Sequence, residues 1–324
     1  NEGIFLDANE NPFGILNRYP DPYQKELKQK LAQLKNIAKT NIFIGNGSDE
    51  VIDLAFRIFC NPGTDKALTF SPTYGMYDVS ANINNVELIK TPLTTAFQID
   101  KNELDKYLTD SALKLIFICT PNNPTGNLIN KKDIEFILKQ FNGIVIIDEA
   151  YIDFSNSKSW IELLDVYPNL IVSQTFSKAW GLAAARVGVA YSNKTIVDLF
   201  NKVKPPYNVS ELNQKAAVNA LDNVPLFEKN VQCILEEKEK LISVLNEIDS
   251  IKKIYPSTIN INIKPTKFIA RLSSNDQLVG VTGKLIADKE NNEVLPYIFG
   301  EFNSQDFLNI KKKYCTIYIY FYRI

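Results

Sequence analysis

Apolar positions along the chain fall into alternating short runs and helical rhythms. Residues 1–24, with Pro12, Gly14, Pro20 and Pro22, read as loop, and 24–38 carry the spacing of an amphipathic helix. Apolar runs then predict strands at 42–44, 67–70, 86–90, 114–119, 144–147, 170–173 and 187–191. Helical patterns lie between them, at 50–59, 131–141 and 195–203 among others. Strands alternating with helices predict an α/β domain built on a mainly parallel sheet. Residues 225–249 read as a long polar-faced helix, suited to bridge to a second domain. No internal repeat is evident. From about 257 the pattern turns irregular. It closes on Tyr314-Cys315-Thr316-Ile317-Tyr318-Ile319-Tyr320-Phe321-Tyr322, a β-prone and nearly uncharged run that would invite aggregation if exposed.

Composition narrows the chemistry more than the fold. With 324 residues and 45% apolar content, about two domains with a substantial core are expected. Lys and Arg number 36 against 37 Asp and Glu, so the net charge of −1 gives no electrostatic reason to expect nucleic acid or an anionic membrane as partner. The four cysteines, Cys60, Cys119, Cys233 and Cys315, form no C-x-x-C pair and suggest neither a zinc site nor a disulfide framework. A reducing cytoplasm is the expected setting. The Asn1-Glu2-Gly3 start shows no signal-peptide pattern, and without a Met it is expected to lie inside a longer chain. Histidine is absent. That excludes Ser-His-Asp and Cys-His mechanisms and His-ligated zinc, and leaves proton chemistry to Lys, Tyr, Asp, Glu or a cofactor.

Four stretches sit at the ends of predicted strands, where open α/β sheets bind ligands. In Gly45-Asn46-Gly47-Ser48-Asp49-Glu50, glycines before a helix let backbone N–H groups approach an anion; the plainer reading is an N-cap by Ser48 or Asp49. Thr120-Pro121-Asn122-Asn123-Pro124-Thr125-Gly126 is a rigid turn, or simply a loop. In Ile147-Asp148-Glu149-Ala150-Tyr151 a carboxylate ends a buried strand and needs a partner. A protonated ring nitrogen would serve, as would a structural ion pair or a helix cap. In Thr175-Phe176-Ser177-Lys178-Ala179-Trp180-Gly181, followed by Arg186-Val187-Gly188, a lysine just past a strand suits a Schiff base, with Thr175, Ser177 and Arg186 as phosphate donors. Taken singly, Lys178 is a solvated surface lysine.

A phosphate cradle, an acid for a pyridinium nitrogen and an activated lysine are what pyridoxal 5′-phosphate (PLP) requires of a protein. Their order here, cradle, Asn turn, Asp, Lys, Arg, resembles the fold-type I PLP-dependent aminotransferases. Leu6-Asp7-Ala8-Asn9-Glu10-Asn11-Pro12-Phe13-Gly14, Asn17-Arg18-Tyr19-Pro20-Asp21, Ser71-Pro72-Thr73-Tyr74-Gly75-Met76-Tyr77 and Asp148-Glu149-Ala150-Tyr151-Ile152 are similar to the histidinol-phosphate aminotransferases, over roughly residues 4–256. The resemblance implies a large domain with a mainly parallel sheet flanked by helices, at 36–225, and a smaller α/β domain. The smaller domain would take an N-terminal part, 1–35, and the bridging helix with the C-terminal part, 226–324. It also implies the roles. Lys178 carries the cofactor and shuttles the proton, Asp148 pairs with the pyridine N–H, and Tyr74 stacks on the ring. Asn123 and Tyr151 reach the ring hydroxyl. Gly47, Ser48, Asp49, Thr175, Ser177 and Arg186 surround the phosphate. Tyr19 reaches the neighbouring subunit's phosphate in a homodimer, and Asn9 with Tyr19 lines the substrate pocket. The implied reaction is ping-pong transamination of L-histidinol phosphate with 2-oxoglutarate, giving glutamate, in histidine biosynthesis.

Two departures stand against the resemblance. The family ends on an arginine-bearing strand of the form C-L-R-I-T-V-G, absent here: after 256 the only arginines are Arg271, too early, and Arg323, without the flanking pattern. A reading frame shifted near 257 is the favoured explanation, a divergent small domain the other. Second, Ala183-Ala184-Ala185 precedes Arg186, where the family has a glycine. The alternatives are another fold-type I enzyme, such as an aromatic aminotransferase or a threonine-phosphate decarboxylase, and a PLP-binding but inactive product with a disrupted C-terminus.

Overall fold

The computed structural model describes residues 8–246 and four short strands beyond them. A seven-stranded sheet organises the chain. Its strands are β1 (Ile42–Gly45), β2 (Lys66–Ser71), β3 (Glu87–Pro92), β4 (Leu113–Cys119), β5 (Ile144–Asp148), β6 (Leu170–Thr175) and β7 (Gly188–Tyr191), in the order β1-β7-β6-β5-β4-β2-β3. β2 through β6 pair in parallel, whereas β7 runs antiparallel to both β6 and β1. Only β7 is therefore reversed, and β1, β4, β5 and β6 all end on one edge of the sheet.

The helices are α1 (Lys25–Lys35), α2 (Ser48–Phe59), α3 (Met76–Ile83), the single turn α4 (Lys101–Leu104), α5 (Lys131–Gln140), α6 (Lys194–Val203), α7 (Glu211–Leu221) and α8 (Val224–Asn246). Both faces of the sheet are covered, which is why the central strands read as unbroken apolar runs. On β4, Leu115 and Phe117 face one core with α2, α3 and α6 (Val51, Phe56, Tyr77, Phe200). Ile116 and Ile118 face the other, with α1, α5 and α7 (Leu27, Leu31, Ile134, Ile137, Leu221). α8 lays Phe227 and Val231 on Tyr151, Phe154 and Ala179, and Phe227 stacks on Trp180 at 3.8 Å between ring centroids. The long helix thus buttresses the loop that carries Lys178.

The predicted elements are present with ends shifted by a few residues, and 8–24 hold no helix or strand. α3, α7 and the single turn α4 are additions. α3 begins inside the Ser71–Tyr77 motif, at Met76, and α7 is a short polar helix whose clearest signal is its cap, Ser210 Oγ accepting from the Asn213 N–H at 3.2 Å. Beyond α8, β8 (Ile254–Ile261) pairs with β11 (Leu295–Gly300) and β9 (Ile269–Leu272) with β10 (Leu278–Thr282), all antiparallel. The aromatic run 314–322 and Arg323 lie outside the described residues. Among the described residues no helix is long and apolar enough to cross a membrane, and no cluster of three His, Cys, Asp or Glu could hold a metal.

Candidate active site

The sheet edge where β1, β4, β5 and β6 end gathers most of the residues singled out above. Ser48, Tyr74, Cys119, Asn123, Asp148, Ala150, Tyr151 and Lys178 line one cleft there, with about 280 Å³ of empty space. A larger groove, with about 1060 Å³ of empty space continuous with solvent, opens between Thr120, Leu128, Trp160 and Leu163. Its charges are already engaged: Lys131 sits 5.9 Å from the Trp160 ring, and Lys158 pairs with Glu162 at 3.1 Å. No buried acid faces an amine there, so the chemistry belongs to the smaller cleft.

Asp148, the last residue of β5, is only 3% exposed. Tyr77 Oη donates to its Oδ2 at 2.7 Å and the Ala150 N–H to its Oδ1 at 3.0 Å. Burial pushes its carboxyl above the usual range, and those two donors pull it back. No cation pairs with it directly among the described residues. A buried carboxylate with neutral donors and an open cleft in front of it suits a ligand N–H.

Lys178 is half-buried, three residues past the end of β6 at Thr175, and not the solvated lysine its charge alone would suggest. Its Nζ lies 5.3 Å from the Tyr151 ring centroid. Burial lowers the proton affinity of the amine, Asp148 and Asp49 oppose that, and Arg186 adds to it.

The turn between β1 and α2 has the shape of an anion cradle. Gly47, at φ +80° and ψ 166°, is the helix N-cap, and no side chain caps the helix. Ser48 and Asp49 are therefore first-turn residues of α2, not its caps, and their backbone N–H groups face outward unsatisfied by the helix. A Cβ at Gly47 would come within 2.6 Å of Arg186 Nη2. Gly188 at the start of β7 runs so close to Gly47 and Ser48 that any side chain would collide with their backbone. Arg186 Nη2 donates to Asp49 Oδ2 at 3.0 Å and its Nη1 to Ser177 Oγ at 3.4 Å, while Tyr74 Oη donates to Asp49 Oδ1 at 3.0 Å. Thr175 Oγ1 accepts from the Ser177 N–H at 3.1 Å, which holds the β6 turn. Asn123 Nδ2 reaches Tyr151 Oη at 3.5 Å across the cleft. Ala183–Ala185 form a regular 3₁₀ turn, and the left-handed residue is Arg186 itself, at φ 48°. The missing glycine thus imposes no positive φ on an alanine.

Gly47, Ser48, Asp49, Tyr74, Asn123, Asp148, Tyr151, Thr175, Ser177, Lys178 and Arg186 meet around this one edge. Asn9 and Tyr19 do not join them within the chain. Asn9 is exposed, and Tyr19, 56% exposed, stacks on Tyr207 at 4.4 Å. The arm that carries them is tied by Glu10, which accepts from the Tyr19 N–H at 2.6 Å and from Arg18 at 2.5 Å. Three further contributors have roles that no motif assigns, although Tyr77 and Glu50 lie within the motifs quoted above. Tyr77 holds Asp148. Glu50 Oε2 pins the cradle from behind, accepting from the Asn46 N–H at 2.5 Å and from Asn208 Nδ2 at 2.8 Å. Asn208, which also donates to Ile44 O at 2.9 Å, sits 158 residues from Glu50, a pairing no local pattern announces.

Residues 5–278 match the family model for aminotransferase class I and II. The chain belongs to this family. Within it, the chain is 51% identical over 264 residues to a histidinol-phosphate aminotransferase of Cytophaga hutchinsonii, covering 80% of this chain and 76% of that protein. It is 50% identical over 260 residues to the histidinol-phosphate aminotransferase of Christiangramia forsetii, covering 80% and 74%. Among solved structures, the histidinol-phosphate aminotransferase from Clostridium acetobutylicum superposes with a TM-score of 0.70 at 22% identity, over 92% of this chain and 89% of that one. The one from Sinorhizobium meliloti, determined in complex with pyridoxal-5′-phosphate, gives 0.69 at 20% identity, over 90% and 80%. These structural likenesses carry the fold, that of the fold-type I aminotransferases. The family membership makes the chain an aminotransferase, and PLP is the characteristic cofactor of that family.

Proposed function

We propose that the chain binds PLP through Lys178 and transfers the amino group of L-histidinol phosphate to 2-oxoglutarate, in histidine biosynthesis. The relatives that share about half its residues carry that activity in their names. The observation that carries the cofactor assignment is the placement, across one cleft, of a half-buried lysine opposite a buried carboxylate that forms no salt bridge among the described residues. The residues present fit the group: Gly47 leaves room where a Cβ would strike Arg186, and the uncapped start of α2 offers N–H donors to a phosphate.

When bound, PLP supplies the electron sink that makes a Cα–H bond labile. The chain supplies everything else. The N–H groups of Ser48 and Asp49, the hydroxyls of Thr175 and Ser177, and Arg186 would hold the phosphate. Asp49 acts through its backbone, because its carboxylate is engaged by Arg186 and Tyr74. Asp148 Oδ atoms would hold a proton on the ring nitrogen. Asn123 and Tyr151 would orient the ring hydroxyl, with Tyr74 covering the ring. Burial leaves the Lys178 amine unprotonated in a larger fraction near neutral pH, so Nζ can bind the cofactor and move a proton at the donor's Cα.

The chain further acts as a cytoplasmic homodimer with shared sites. The exposed arm, bearing Phe13, Ile15, Leu16 and Tyr19, supports this reading, for a surface so apolar calls for a partner. In that dimer Tyr19 would reach the neighbour's phosphate, and Asn9 and Tyr19 would line the substrate pocket. The division into 1–35, 36–225 and 226–324 and the frame change near 257 belong to the same reading. Sequencing the gene across that point tests the frame change, which fails if no neighbouring frame encodes the arginine strand.

Substrate choice is tested by adding L-histidinol phosphate, phenylalanine and threonine phosphate separately to PLP-loaded chain and following glutamate formed from 2-oxoglutarate. Histidinol phosphate should react fastest. Equal or faster reaction of either competitor would overturn the substrate assignment.

A further inference from the structure

The two oxygens of Asp148 are not left to choose their own orientation. Tyr77 Oη donates to Oδ2 at 2.7 Å and the Ala150 N–H to Oδ1 at 3.0 Å. Tyr77 is itself fully buried on α3. Its ring stacks on Phe117, with centroids 4.9 Å apart at 21°, and meets Tyr74 edge-on at 5.7 Å and 86°. Packing on both sides therefore fixes where the phenol points. The other groups that face Asp148 are Lys178, which favours its charge, and Asp49, which opposes it. Cys119, its register partner on β4, faces both the carboxylate and the Tyr77 phenol, and Tyr74 lies nearby.

We infer that Tyr77 is a positioning residue for Asp148, donating the hydrogen bond that keeps the carboxylate ionised and aimed, so that a proton shared with the cofactor's ring nitrogen rests on the nitrogen. The inference rests on the PLP reading above. Its logic is a competition for one proton. Burial raises the proton affinity of Asp148, and a carboxylate left too basic would take the proton from a pyridine nitrogen. An O–H donor bonded to the ionised form lowers that affinity, and such bonds to charged acceptors are short and strong. Losing one shifts the balance by roughly tenfold or more. The phenol never touches the reacting atoms; it acts through Asp148.

The test loads wild-type chain and Tyr77→Phe with PLP carrying ¹⁵N in its ring and records the ¹⁵N chemical shift across pH. Phenylalanine keeps the stack on Phe117 and the edge contact with Tyr74 and removes only the donor. The wild type should show a protonated ring nitrogen. Tyr77→Phe should still take up PLP, since the phosphate cradle is untouched. Its ¹⁵N signal should move toward the neutral ring, with the pH midpoint displaced by about one unit, the equivalent of tenfold. A purely structural role would lower the melting temperature and leave the ¹⁵N shift of loaded protein alone. Should Tyr77→Phe be too unstable to load, Phe117→Leu, which loosens the stack behind the phenol, should move the shift in the same direction by less. Unchanged shift and pH profile in loaded variant overturns the inference while the PLP reading stands. A wild-type chain that yields no bound ¹⁵N signal overturns both.

Discussion

Single residues around the cleft show their function through what they deny themselves. Gly47 occupies a backbone region that side chains avoid, and a Cβ there would also press on Arg186. Gly47→Ala should therefore cost about 1–3 kcal/mol of stability and weaken phosphate or PLP binding. Gly181→Ala, at φ +68° with open space around its Cβ, should pay only the backbone part and leave binding intact. Denaturant unfolding with and without phosphate separates the two. Asp148 gives a second prediction, with a definite sign. Its folded pKa lies above the unfolded value, so the stability linked to it is full at low pH and is lost as pH rises through the folded pKa. In the PLP-free protein, Asp148→Asn should thus gain stability relative to wild type as pH rises, although it loses cofactor binding. A melting-temperature difference that stays flat with pH would argue against that. Lys178 has its pKa depressed below 10.5, so covalent uptake of PLP should rise with pH along a curve centred below that value. A rise centred at or above 10.5 would contradict the burial that lowers it.

At the level of elements, the cradle turn is held in place by its surroundings. Glu50 accepts the Asn46 N–H on one side and Asn208 on the other, so the loop before α2 is tied to the segment before α7. Glu50→Ala would leave the Asn46 N–H without its acceptor, a loss of about 1.5–3 kcal/mol for a bond to a charged group. It should also reduce phosphate affinity more than a change on the outer face of α2, such as Arg57→Ala, which removes the ion pair with Asp53 at 2.7 Å. Isothermal titration of phosphate into the two variants checks this. Most elements here are legible in the sequence, because central strands buried on both faces are written as apolar runs such as Ile144 to Ile147. So are the cleft residues at strand ends, because strand end, glycine turn and reactive side chain occupy adjacent positions. What stays hidden depends on distance along the chain. Tyr77 and Asp148 are 71 residues apart, and Glu50 and Asn208 are 158 apart. Only the stacking of α3 under β4 and the return of the chain past β7 bring them together. Asn9 and Tyr19 illustrate the reverse: legible as motif, yet their proposed role needs a second chain.

For the whole molecule, the proposed dimer would join the exposed arm to the cleft, so that each site would need residues of both chains. Tyr19 rests on Tyr207 at 4.4 Å, and Asn208, next to Tyr207, reaches the cradle through Glu50. Mixing Tyr19→Ala chains with Lys178→Ala chains should restore part of the activity that each lacks alone, because a mixed dimer carries one site with both residues intact. Absence of complementation between variants that both fold and associate would argue for sites confined to one chain. The departure beyond 256 bears on substrate rather than on cofactor, since the residues proposed to hold PLP are Tyr19 of the arm and those between Gly47 and Arg186. The central claim can therefore be tested without turnover. PLP-loaded protein is reduced with borohydride and digested, and the labelled peptide is mapped by mass spectrometry. The account predicts a stable pyridoxyl label on Lys178, absent in Lys178→Ala. A protein that takes no label, or takes it on another lysine with Lys178 free, would contradict it.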